Sequence, residues 1–397
     1  MTTPRLSDLL TLDAQGRPRL RPEVHPLDDL LDRDVDGVLA AFKESQRRDF
    51  LATVGVLDDP AHPLSRRLAE VGAEAGGAGL DAARVRDLFL TLHEHVMEHP
   101  VWRHSFFRRV FDGRMTRAQL VRFAAQYHNQ IKNTRQCVAM AIGRFHTLAE
   151  LPDVANRERL SEFVQIVLAQ LVADEYGVGS HAVETYPTLA QMLGSTTHIV
   201  MYGQLFDGLG VPLAERNPPL LHGTADNVLT QRLLAGDPAF TPLEALASVG
   251  LGMEWGVPEF FSLLLGGIIR WARESGEPLT ADHLHVFIAH VRYDVMHAIA
   301  VTLMTALFVR DDADVARVKA ATNTLMGARY GMMSGMYKDV FGEDCAGPRD
   351  IALEARYALP DRRIEAALKA ARAQVARGTV VDEEEYRHKE DVPFVFA

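Results

Sequence analysis

Cysteine is nearly absent: Cys137 and Cys345 are the two thiols in 397 residues, too few for a disulfide framework or a four-thiolate metal site. A reducing, cytoplasmic setting suits such a chain. Long apolar runs are scarce too. The first thirty residues lack the apolar stretch of a signal peptide, and the longest later run, near residues 260–269, falls well short of the ~20 residues that span a bilayer. Neither secretion nor membrane insertion is expected. Positive charge is in deficit, with 42 basic against 53 acidic residues and a net charge of −11, a field that repels nucleic acid and anionic lipid. No G-x-S-x-G, no P-loop and no strand-led G-x-G-x-x-G occurs; GLGMEWG at 250–256 has the glycines without a preceding strand. Val/Ile/Thr alternation between Asn-Gly or Asp-Gly turns is also missing, so no sheet is expected.

What is present is an ordinary globular composition, 47% hydrophobic and 24% charged, with length for two or three domains or for one large domain and an appendage. Apolar residues recur at three- and four-residue spacing over 82–98, 116–148, 157–176, about 186–209, 226–236, 242–273, 280–308 and 312–342, which predicts an all-α protein. Residues 1–28, with prolines at 4, 18, 22 and 26, read as an extended or poorly ordered arm. Helical pattern then runs to the linker-like AEAGGAGLD at 73–81. The division is therefore 1–78 as arm and helical extension, 79–345 as a bundle, and 346–397 as a further helix and acidic tail. Leu30, Leu31, Val38 and Phe42 would leave an exposed apolar stripe unless the extension packs on the bundle or mediates dimerisation.

The strongest chemical signal is HVRYDVMH, with His290, Asp294 and His297. On a helix the first two lie about 40° apart and the outer two about 20° short of two full turns, so all three project from one stripe. Flanking residues 286–289 and 298–301 are apolar, and a helix that is apolar all round is buried. Three buried ionisable groups on one stripe require a transition metal such as iron or manganese, or a core network in which they satisfy one another. Glu254 is a single acid in the apolar stretch GLGMEWGVPEFFSLLLGGI, too far from Arg270 or Arg273 for a salt bridge along one helix. Asp174, Glu175, His181, Glu184 and His198 form a third, glycine-punctuated set. His93, His95 and His99 in HEHVMEH lack metalloprotease order and read better as cations at a helix C-terminus. Cys137 reads as a buried, inert thiol.

The chain resembles the heme-oxygenase-like metalloenzymes, non-heme iron oxidases and oxygenases sharing a helical bundle with the TenA proteins and PqqC. The resemblance lies in EHPVWRHSFFRRVFDGRMTRAQLVRFAAQYHNQ, DEYGVG, HIVMYGQLFDGLG, MEWGVPEFF and HVRYDVMH, over roughly residues 90–342. It implies a heme-oxygenase-like bundle in which Glu175, His198, Glu254, His290, Asp294 and His297 hold two ferrous ions. The 23 residues between Glu175 and His198 exceed the family's usual separation; either extra turns are inserted at 182–194, or His181 or Glu184 serves instead, and the interval to Glu254 favours His198. The resemblance further implies O2 as cosubstrate and a small amine or amino-acid-like substrate undergoing N-oxygenation, desaturation or oxidative C–C cleavage in a biosynthetic pathway, with an external electron donor. The competing expectation is a metal-free binding or cofactorless redox protein of TenA or PqqC type.

Overall fold

The computed structural model describes residues 6–74, 82–146, 158–177, 197–345 and 362–372. Among the described residues the protein is all-α apart from one small hairpin. Its helices are α1 (Val35–Gly55), α2 (Pro63–Glu74), α3 (Ala82–Met97), α4 (Ser105–Phe111), α5 (Arg117–Ile142), α6 (Glu158–Glu175), α7 (His198–Gly208), α8 (His222–Gly236), α9 (Pro242–Leu246), α10 (Val257–Ser275), α11 (His285–Phe308), α12 (Asp312–Phe341) and α13 (Arg362–Arg372). Local sequence sets several of their starts. The Thr116 hydroxyl accepts a hydrogen bond from the Gln119 N–H while the Gln119 side-chain oxygen accepts one from the Thr116 N–H, a capping box at the head of α5. Thr197 caps α7 through the Val200 N–H.

From residue 6 onward the expected arm is instead folded. Leu10–Leu12 (β1) pairs antiparallel with Pro18–Leu20 (β2), and the Asp13 carboxylate accepts from the N–H groups of Gln15 and Arg17 to close the turn. Leu9, Leu20 and His25 are buried; His25 reaches the Ser262 hydroxyl on α10 at 2.8 Å. Three-residue strands are too short to show alternation, and a turn held by Asp13 and Gly16 has no Asn-Gly or Asp-Gly pair, so neither signal marked it. The helical extension lies on the bundle: α1 packs against α3 and α10, with Val38, Phe42 and Phe50 in the common core.

The stretch at 242–273 is not one helix. After α9, residues Ala247–Glu254 form a fully buried π-helix, marked by a Trp255 N–H donating to the Gly250 carbonyl. Gly256 then takes φ 80° and the chain restarts as α10. A side chain at Gly256 would run into the Trp102 ring, and one at Gly252 into Leu325 on α12, so glycine permits both the left-handed turn and the close approach of α12. π-Segments are rare and concentrate at functional sites; this one ends on Glu254.

Residues Asp282–Phe308, which include α11, are long and apolar enough to cross a membrane by length and composition, with mean hydropathy 1.3 over the most apolar window. That corrects the expectation that no segment approaches a spanning length. The window is 64% buried inside the protein, and α11 packs against α10, the π-helix, α7 and α6. It is a core helix whose apolar surface meets other helices.

Candidate metal centre

Glu175 is the last residue of α6, His198 the first of α7, and His290 lies in the second turn of α11. Packing of α11 against both α6 and α7 brings the three together. One donor atom from each lies within 4.8 Å of the others, and all three are buried. His198 Nδ1 is 3.0 Å from Glu175 Oε2. His290 Nδ1 donates to the Val286 carbonyl at 2.6 Å, which fixes the tautomer and makes Nε2 the lone-pair nitrogen, the form an imidazole needs to bind a metal. Its ring stacks on Phe261, centroids 4.3 Å apart. Burial, aided by the neighbouring His198 and only partly opposed by the Glu175 charge, pushes the His290 imidazole down to about 3, so it is neutral at physiological pH.

The second group lies two turns along α11. His297 Nδ1 is 3.5 Å from Glu254 Oε2, and Nε2 donates to Asp174 Oδ2 at 3.0 Å. Burial works against the Asp174 charge, but the His297 hydrogen bond and charge hold its carboxyl below the ordinary value. His290 and His297 do share a stripe of α11, yet seven residues separate them by about 10 Å of helix rise. The stripe therefore serves two side-chain groups, Glu175–His198–His290 and Asp174–Glu254–His297. The side chain of Asp294, and residues His181 and Glu184, lie outside the described residues.

Two members of this region were not singled out by sequence reasoning. Asp174 was one acid in a set of five, outside the implied ligand set; its signal is adjacency to Glu175 at a helix end, which points neighbouring carboxylates at different partners. Arg329, on α12, is buried and donates through Nη2 to the Met253 carbonyl at 3.3 Å. Burial lowers its basicity, and Glu254 and Tyr127 partly offset this. An arginine within the small and apolar run TLMGARYGMM was the available signal. Arg270, weighed as a partner for Glu254, instead donates to the carbonyls of Leu31 and Arg33.

The histidines of α3 and of the turn after it are not capping cations. His93 Nε2 donates to the Lys43 carbonyl at 3.0 Å, His95 Nε2 to Asn323 Oδ1 at 2.7 Å, and His99 Nδ1 accepts from the Val101 N–H. Burial pushes His93 down to about 4 and His99 to about 3, so these two are neutral. Cys137 is fully buried, its thiol pushed up to about 12 by burial, which removes it as a nucleophile.

No family model matches the chain, and no curated protein matches it. Among solved structures it is similar to a TenA homolog from Pseudomonas syringae pv. tomato str. DC3000, with TM-score 0.44 and 10% identity over 65% of this chain and 92% of that one. An overlap that loose leaves chemistry to be argued from the site residues.

Proposed function

We propose that this protein is a non-heme diiron oxidase or oxygenase that activates O2 to oxidise a small amine or amino-acid-like substrate, by N-oxygenation, desaturation or oxidative C–C cleavage, in a biosynthetic pathway. The observation that carries the reading is the convergence of buried Glu175, His198 and His290 within 4.8 Å, beside a second acid–imidazole group. The donor set fits iron. Carboxylate and imidazole together suit borderline divalent metals, and the His290 tautomer presents a lone pair to the cluster. Glu175, His198 and His290 would hold one ion; Glu254, His297 and, by its spacing in HVRYDVMH, Asp294 the other.

Bound ferrous iron supplies redox chemistry toward O2 that side chains alone lack. The chain's own residues do the rest. The π-helix fixes the backbone beneath Glu254, the Val286 carbonyl orients His290, and Phe261 walls its ring, keeping water from that side. Asp174 fixes His297 through Nε2, so the imidazole turns Nδ1 toward Glu254. An external electron donor would supply the electrons such a centre needs, and the protein works in the cytoplasm without nucleic-acid or membrane partners. The partition at residues 78 and 345, and homodimerisation through the extension, are part of the same proposal.

One observation favours a metal-free TenA- or PqqC-like reading: His297 already hydrogen-bonds Asp174 at 3.0 Å, and His198 Nδ1 stands at ion-pair distance from Glu175. Anaerobic ferrous loading followed by metal analysis and oxygen-electrode measurements separates the two. About two irons per chain and O2 uptake are expected for a site with two ligand groups; retained zinc or no bound iron, with no O2 uptake, overturns the diiron reading.

A further inference from the structure

Arg329 is a buried cation whose needs the protein does not meet. It is 6% exposed, and its guanidinium has five N–H donors, yet its hydrogen bonding is one 3.3 Å contact to the Met253 carbonyl. Among the described residues no carboxylate lies within ion-pair distance of it. Glu254, one residue from Met253, contributes at longer range and makes its short contact to His297 instead. Burying a guanidinium without an ion-paired anion is costly, by several kcal/mol in order of magnitude, so a native fold that keeps one implies a counter-ion from elsewhere. Were Glu254 engaged by a metal, even its long-range compensation would weaken.

We propose that Arg329 binds the carboxylate of a small-molecule substrate and so directs the substrate's other end toward Glu254 and the metal-binding side chains. A planar guanidinium accepts a carboxylate through two parallel hydrogen bonds. The surroundings select one negative charge over two: Glu254 already adds a negative charge nearby, and among the described residues Arg329 is the one buried arginine. Tyr127, which interacts with Arg329, stacks on Phe260 with centroids 5.2 Å apart, so the neighbouring wall is aromatic and suits an apolar body behind the carboxylate. The proposal rests on the diiron reading only for what the far end of the substrate meets; the anion site is set by Arg329 itself.

Calorimetric titration of the full chain, both chelator-treated and after anaerobic ferrous loading, tests it with butanoate, hexanoate and octanoate against the alcohols of equal length and inorganic phosphate. At least one carboxylate should bind tenfold or more tightly than its alcohol in both preparations. Arg329→Gln should lose that preference and Arg329→Lys keep part of it. Equal binding of acid and alcohol, binding of phosphate in place of every carboxylate, no carboxylate binding at all, or unchanged affinity in Arg329→Gln overturns the proposal. If Arg329→Gln does not fold, the acid–alcohol comparison in the unaltered chain and the Lys variant still decide. Carboxylate binding in the chelated protein stands whether or not iron binds, so failure of the metal reading and failure of this one give different results.

Discussion

Two groups of buried and half-buried histidines occupy this protein, and they differ in what surrounds them. On α3 and just past its end, His93, His95 and His99 meet a backbone carbonyl, an asparagine amide and a backbone N–H. Around α11, His198, His290 and His297 meet Glu175, Asp174 and Glu254, with one backbone carbonyl to set a tautomer. A neutral partner uses up an imidazole nitrogen and leaves no charge behind. Carboxylates gathered around imidazoles repel one another and require positive charge between them, from protons or from a metal. Burial of histidine does not distinguish structure from function; the partners do.

The comparison breaks most sharply under substitution. His290→Ala should lower iron from about two ions per chain to about one or fewer by elemental analysis, whereas His95→Ala should leave iron unchanged while destabilising the fold by about 1–3 kcal/mol through an unsatisfied Asn323. Equal iron loss in both variants would erase the distinction. Acid should act on both groups alike. His25, His93 and His128 are depressed to about 4, and His99, His104 and His290 to about 3, all chiefly by burial. Each is depressed relative to about 6.5 in the unfolded chain, so the unfolded state takes up protons that the fold refuses; stability is full above about 6.5 and falls as pH drops toward 4. One such group costs about 1.4 kcal/mol per pH unit, and several together should bring cooperative unfolding above pH 4 in thermal melts of chelated protein; a Tm flat from pH 7 to 4.5 contradicts this. The smallest effect sharpens the second group: Asp174→Asn should keep the fold and weaken the more loosely held metal about 10- to 100-fold, read as iron retained after dialysis, since its role is to orient His297.

Much of the helical architecture is legible in the residue pattern itself. Three- and four-residue spacing marks α3, α5, α6, α11 and α12 to within a few residues, because each buries one face or all of its surface against other helices. The same rule misreads 242–273 as continuous, since a π-helix and a left-handed glycine leave apolar periodicity almost undisturbed. It also misses the hairpin, whose strands are three residues each.

For the site, sequence alone determined that His290 and His297 face one side of a buried helix, because helical geometry fixes direction from spacing. It also made Glu254 an anomaly, since an acid in an apolar run must find a partner. Only the tertiary structure decided the partners. The end of α6, the start of α7 and the first half of α11 are joined by packing, which places Glu175 with His198 and His290, turns Asp174 onto His297, and sets Arg329 behind Glu254. Those pairings span up to 123 residues of sequence, and contact at that range is fixed by how helices pack, which no local spacing encodes.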